Sequence, residues 1–388
     1  MLGFLLARSG LRVAVLEKHV DFLRDFRGDT VHPSTMQVMH ELGLLERFLT
    51  LPHQKVPDLA VQIGTSHVRL VDFTHLPVAA PYVAMMPQWD FLNFLAQEGR
   101  HYSGFNLMME TEAKGLIEAD GKVRGLTATA RSGPVEIFAD LVVVANGRRS
   151  LLREQAGLTL RNLGAPMDVL WFRLPRQSDD TEETQARIEA GRVLIMLNRG
   201  SYWQCAFLIS KGQNERVRAQ GLDEFRQSLR PLLPFDHTRA NAITDWDAVK
   251  LLTVRVDRLE RWWRPGLLCL GDAAHAMSPV GGVGVNLAVQ DAVAAANRLT
   301  DPLAAGTLTD TDLQAVQDRR LWPTRVTQRL QVTMQNRIIA PVLASRSAPQ
   351  VPWLLRLALA IPGFRRLPAR IIGLGVRPEH VRSESPTP

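Results

Sequence analysis

The stretch from Gly266 to Leu299, "GLLCLGDAAHAMSPVGGVGVNLAVQDAVAAANRL", constrains the fold more than any other part of the chain. An unbroken apolar run, Leu267-Leu268-Cys269-Leu270, reads as a buried strand. It delivers Gly271 and Asp272 into a loop. A glycine-rich run, Pro279-Val280-Gly281-Gly282-Val283-Gly284, then opens a helix that starts near Asn286. Glycines let backbone approach a flat or anionic ligand closely, and a helix N-terminus offers unpaired N–H groups and a partial positive charge. An acid at a strand end can hold polyol hydroxyls. Two readings follow from these residues alone: a cradle for the ribityl and ring portion of a flavin, or a strand–turn–helix whose glycines serve tight packing.

The start of the chain, "MLGFLLARSGLRVAVLEKHV", points the same way. Leu2 to Ala7 favour a helix, Gly10 sits where a helix stops, and Val13-Ala14-Val15-Leu16 resembles a buried parallel strand that ends in Glu17. Helix, glycine, strand and terminal acid read either as the back end of a dinucleotide-binding βαβ unit, whose acid accepts hydrogen bonds from the adenosine ribose, or as a chance helix–strand pair. Such an acid lies about 20 residues beyond a G-x-G-x-x-G loop, and here that count runs past Met1.

Composition narrows the classes. At 388 residues, 46% of them apolar and 22% charged, the chain is a globular protein of more than one ordinary domain. It has no uncharged apolar stretch long enough for a transmembrane helix and no signal-peptide pattern at its start. Its two cysteines, Cys205 and Cys269, give neither a disulfide framework nor a metal cluster, which fits a reducing cytoplasm. The histidines and acids show no ligand spacing, so no metal site is expected. The net charge of +7 comes from scattered arginines without a nucleic-acid-reading motif, and it suits anionic cofactors equally well.

Elsewhere, "HPSTMQVMHELGLLERFL" reads as a helix with Ser34 as N-cap. "LAVQIGTSHVRLVDF" reads as two strands around Gly64, and "YVAMMPQWDFLNFLAQEG" as a strand and then a helix entered near Gln88. Residues 108–138 read as a β-meander broken by "DGK" and "SGP". "ADLVVVANGRRSLLRE" is a buried strand, a turn and a helix capped near Ser150. Residues 165–260 hold several strands, and the polar "QSDDTEETQARIEAG" between the first two reads as a solvated excursion. From Thr311 onward the pattern is helical.

These strings, in this order, resemble the para-hydroxybenzoate-hydroxylase-like family of FAD-dependent monooxygenases. The family's G-D-A-A-H-x-x-x-P-x-x-G-x-G-x-N stands complete as "GDAAHAMSPVGGVGVN". "VAVLEK" matches its ribose-binding acid. "FRGDTVHPSTM" looks like its Arg-bearing flavin segment, "MMPQWDFLNFL" like the segment whose Gln reaches the ribityl chain, and "DLVVVANGRRSLLRE" like its D-G motif, with Asn146 replacing the usual Asp. The resemblance implies an α/β fold: a Rossmann-like FAD-binding domain (1–60, 88–164 and 262–310), an interleaved antiparallel-sheet substrate domain (61–87 and 165–261) and a helical C-terminal region (311–388). It assigns FAD to Glu17, Lys18, Arg27, Gln88, Asp272, Gly282, Gly284, Val285 and Asn286. Pro279 and Gly281 would form the environment of the flavin C4a atom. In this family G-x-G-P-A-G stands just before the helix that here begins at Met1. The expectation is therefore a chain short of one central strand and its phosphate loop, binding FAD or folding poorly unless other segments fill the gap.

The implied activity is hydroxylation of a small aromatic or polycyclic organic substrate with NADH or NADPH and O2, through a flavin C4a-hydroperoxide and without a protein nucleophile. A cytoplasmic monomer or homodimer is expected. His32 and His275 read as positional. Trp171, Met196, Trp203 and Phe207 read either as pocket lining or as core. A same-fold flavin oxidoreductase that does not hydroxylate and a flavin-free binding protein remain the alternatives; the W-x-W-x-I-P string of flavin halogenases is absent, "WFRLP" being only superficially like it. Residues 338–376 mix Leu, Ile and Trp with Arg and Pro, and packing over the catalytic body is preferred to an interfacial membrane role.

Overall fold

The computed structural model describes residues 1–23, 30–347, 350, 357, 361 and 363–382. It is a mixed α/β molecule with several sheets and a helical C-terminal region. Two pairs of short parallel strands lie near the helices. Val13–Leu16 pairs with Phe105–Met108, and Val142–Val144 pairs with Leu267–Cys269. Among the described residues, Val13–Leu16 and Val142–Val144 each have one edge that no strand pairs. Val13–Leu16, which reads as a buried run, is accordingly only half-buried, with Ala14 exposed. The helices Leu2–Arg8, Pro33–Glu41, Gln88–Gly99 and Gly284–Ala304 bury Phe4, Leu5, Met36, Met39, Phe91 and Val293 in a common core.

The meander of residues 112–138 forms the expected three antiparallel strands. A larger seven-stranded sheet runs in the order Lys250–Leu252, Met167–Pro175, Tyr202–Ser210, Arg192–Asn198, Gln185–Glu189, Asp58–Ile63 and Ser66–Asp72. Gln185–Glu189 corrects the expectation of a solvated excursion. It pairs antiparallel with Arg192–Asn198 and parallel with Asp58–Ile63, so it joins two groups of strands that would otherwise be separate. Its residues are all half-buried, and its mixed polar composition hid the strand. Just upstream, Asp180 is buried against Arg239 and accepts a bond from Trp203 Nε1 at 3.0 Å.

Side-chain alternation splits this sheet into two faces. Phe172, Met196, Trp203, Cys205 and Phe207 point to a core covered by the Leu222–Leu229 helix. Val169, Trp171, Ile195, Ala206 and Leu208 point to the other face, where Val280 of the glycine turn and Ile339, Val342 and Leu343 of the C-terminal helices pack. Of the four residues read as pocket lining or core, Met196, Trp203 and Phe207 belong to the far core. Trp171 faces the glycine turn.

The N-cap of the Pro33–Glu41 helix is His32, not Ser34. Proline occupies its first position, where the fixed φ suits a helix start and the missing N–H leaves nothing unsatisfied. Ser34 is buried one position further in.

Candidate active site

The glycine run forms a tight turn, with a 3-10 segment at Val280–Gly282, and leads into the Gly284–Ala304 helix two residues earlier than expected. Gly281 and Gly282 both have left-handed backbone, with φ of 80° and 63°. Gly282 is also pressed against another string. A Cβ there would lie 2.5 Å from Thr30 Oγ1, and that hydroxyl donates to Gly282 O at 2.9 Å. Gly281 is exposed and would meet nothing nearer than Val283 at 3.7 Å. The helix has no side-chain cap and no acid in its first turn, so no side chain caps its first N–H groups or neutralises its partial positive charge.

Asn286 joins the turn to the "VHPSTM" segment. Its Oδ1 accepts from His32 N at 3.0 Å and from Thr35 Oγ1 at 2.7 Å. His32 Nδ1 donates in turn to Ile372 O of the C-terminal segment at 2.8 Å. Burial lowers the His32 pKa to about 4, so the ring is neutral around pH 7. On the side of the turn facing the C-terminal segment, a narrow void of about 30 Å³ is bounded by Val283, Asn286, Ile372 and Gly375. It is too small for a tricyclic ring; the open side of the turn is that of Gly281.

Asp272 lies at the end of its strand as expected and pairs with Arg148 Nε at 3.0 Å, both groups partly exposed. Thus "NGRRS" and "GDAAH" meet. Arg153 fixes this pairing from beneath: it is buried, and it donates to Arg148 O at 2.9 Å and to Ala273 O at 3.2 Å. Glu17 lies at the C-terminal ends of the two N-terminal parallel strands. Its backbone bonds to Met108 O and Thr111 N, and both residues line an open depression of about 450 Å³ with Met109 and Arg131. Ligands of open α/β sheets bind at such strand ends. Lys18 is exposed beside it. Gln88 opens its helix, half-exposed. Arg27 lies outside the described residues.

Two supporting networks were not read from the sequence. Asp291 is fully buried; its Oδ1 accepts from Arg320 Nε at 2.9 Å, and its Oδ2 from His275 Nε2 at 2.6 Å and Gly271 N at 3.1 Å. Burial alone would raise its pKa, but His275 and Arg320 outweigh that and hold it below the usual carboxylate range. His275 therefore serves position. The second network is a row of glutamines on the Asp310–Met334 helix and the π turn after it. Gln328 Nε2 donates to Asp257 O and Ala276 O. Gln331 accepts from Ser278 N at 3.2 Å and donates to Ser278 O at 3.1 Å and Val280 O at 2.8 Å, gripping both sides of Pro279. Gln335 reaches Ser278 Oγ. Their i, i+3, i+7 spacing in "TQRLQVTMQN" was the available signal. Neither cysteine is poised as a nucleophile, since burial raises both thiols, that of Cys269 to about 12.

Residues 1–329 match the family described as FAD binding domain. A 6-methylpretetramide 4-monooxygenase of Streptomyces rimosus is 29% identical over 385 residues, covering 99% of this chain and 91% of its own. A rifampicin monooxygenase of Streptomyces venezuelae is 27% identical over 302 residues, 75% of this chain and 60% of its own. Among solved structures, a probable FAD-dependent monooxygenase from Pseudomonas aeruginosa superposes with a TM-score of 0.73 at 19% identity, covering 88% of this chain and 94% of that one.

Proposed function

The chain belongs to the FAD binding domain family, and from that premise we propose that it is an FAD-dependent monooxygenase. Its proposed reaction is hydroxylation of an aromatic or polycyclic organic compound with NADH or NADPH and O2. The observation that carries this reading is the meeting of sequence-distant strings around one turn: Thr30, His32 and Thr35 latch onto Gly282 and Asn286. The residues present fit the cofactor: Gly281 leaves open a space that a side chain would fill, the helix behind it is uncapped, and Asp272 is held partly exposed by Arg148.

In this reading Asp272 holds ribityl hydroxyls, Gln88 supports the same chain, and Glu17 accepts from the ribose at the depression beside Met108. Lys18 and Arg27 complete the nucleotide contacts. The backbone of Gly284, Val285 and Asn286 would offer N–H groups and the positive helix end to the electron-rich edge of the ring system, and Gly282, whose own N–H donates to Pro279 O, would shape the turn that presents them. Pro279 and Gly281 form the wall beside the reacting carbon. When bound, FAD supplies the redox chemistry, taking hydride from the nicotinamide and activating O2. The protein's part is to orient, to exclude water and to keep the wall rigid, which the Gln331 grip on Ser278 and Val280 does. The sheet face bearing Trp171, Ile195 and Leu208 opposite Val280 supports an apolar, ring-shaped substrate, as does the 6-methylpretetramide relative.

The test is purification of the chain, with its flavin absorption recorded and FAD added back. NAD(P)H oxidation is then measured with candidate polycyclic phenols and the product identified by mass. Substrate-stimulated oxidation with stoichiometric oxygen insertion is expected. A chain that takes up no FAD, or that oxidises NAD(P)H without oxygenated product, refutes the proposal.

A further inference from the structure

From Arg319 to Pro378 the chain has eleven arginines and no Asp, Glu or Lys, in a protein whose whole net charge is +7. Much of this stretch lies on the Asp310–Met334 helix, the Gln335–Ile339 π turn and the Ala340–Ala344 helix. Their polarity is inverted. The face toward the body carries Gln328, Gln331 and Gln335, while Trp322, Leu330, Met334 and Ile338 face solvent, Trp322 at 53% and Ile338 at 54% exposure. Arg325, Arg329 and Arg337 are exposed among them. The π turn carries the exposed Ile338, which prolongs the row by one more apolar residue. Further along, Phe364 and Leu367 are exposed beside Arg366. None of the described helices is long and apolar enough to cross a membrane.

We propose that this face docks on the surface of an anionic phospholipid bilayer. Large apolar side chains set among arginines are the composition of a helix that lies in the interface, with rings and alkyl chains entering the headgroup layer and guanidinium groups pairing with lipid phosphates. Charge decides between occupants. A second copy of the chain would set the exposed Arg325, Arg329, Arg337 and Arg366 against the same four cations, whereas an anionic surface complements them. Ile339, Val342 and Leu343 of the same helices pack over the sheet face bearing Trp171, so the docked element is joined to that face.

The test uses the full chain and sedimentation with large vesicles, one set of equimolar phosphatidylcholine and phosphatidylglycerol, the other of phosphatidylcholine alone. Binding to the anionic vesicles is expected to be at least about tenfold tighter and to weaken as salt shortens the Debye length. Arg325→Glu with Arg329→Glu should weaken partitioning by more than about fivefold per residue, and Trp322→Gln with Leu330→Gln should weaken it at every salt concentration. Thermal melts of these surface variants should match the parent, and the salt dependence needs no variant at all. No binding to anionic vesicles, equal binding to both sets, or binding indifferent to these substitutions would overturn the proposal. So would a reversible dimer in sedimentation velocity that the Leu330 substitution dissolves while vesicles stay unbound. Because the readout is partitioning, it stands or fails separately from the oxygenase activity.

Discussion

Replacing Gln331 by Met tests whether one amide holds the wall beside Pro279. The substitution keeps length and volume and removes three hydrogen bonds: from Ser278 N, to Ser278 O and to Val280 O. Gln331 and Ser278 are both buried, so water cannot replace the lost partners without opening the turn. At about 1 kcal/mol net per bond, and about 1–2 kcal/mol more for the stranded Ser278 N–H, the expected loss is about 4–5 kcal/mol. Urea unfolding followed by tryptophan fluorescence reads this as a lower midpoint at unchanged slope. Gln227→Met, on an exposed helical position, is the control and should stay within about 0.5 kcal/mol of the parent. FAD retention should fall with the Gln331 variant and not with the control. A loss below about 1 kcal/mol would refute the reasoning, because it would mean that the turn holds its shape without the grip.

Asp291→Ala should cost about 3–5 kcal/mol in the same assay, because Arg320 and His275 would be left buried without their carboxylate. Gly282→Ala should cost about 2–3 kcal/mol, from left-handed backbone and the clash with Thr30; adding Thr30→Ala should recover part of it, as a double-mutant cycle will read. His32 supplies a pH signature. With its folded pKa lowered from 6.5 to about 4, the unfolded chain binds the extra proton between those values. Stability therefore falls as pH drops through that window, by up to about 3 kcal/mol, and is unaffected above it; His32→Gln should flatten the slope in urea midpoints taken across the window.

The strand–turn–helix of residues 266–304 was legible because an apolar run, adjacent glycines and a long alanine-rich helix leave few alternatives. The meander was legible from its turn residues. Gln185–Glu189 was not, since its parallel partner Asp58–Ile63 is distant in the chain and its own composition is mixed. Which face of the large sheet meets the turn was also hidden. Both faces are apolar, so alternation shows that Trp171 and Trp203 lie in different layers only once the register is known. Asp291 was not singled out, because its partners Gly271 and Arg320 are brought to it only by tertiary packing. The glutamine row carried a pattern, yet a polar stripe on a helix ordinarily means solvent, and here solvent lies on the opposite side.

That reversal has a consequence for how the turn responds to its surroundings. A primary amide offers one acceptor and two donors that no proton gain or loss can alter between acid and alkali. A Glu at position 331 would match it in shape, but once ionised would set its oxygens against the carbonyls of Ser278 and Val280. By relying on amides there, the molecule keeps the geometry beside Pro279 constant over a range of acidity in which His32, bonded to Asn286 after the same turn, changes its charge.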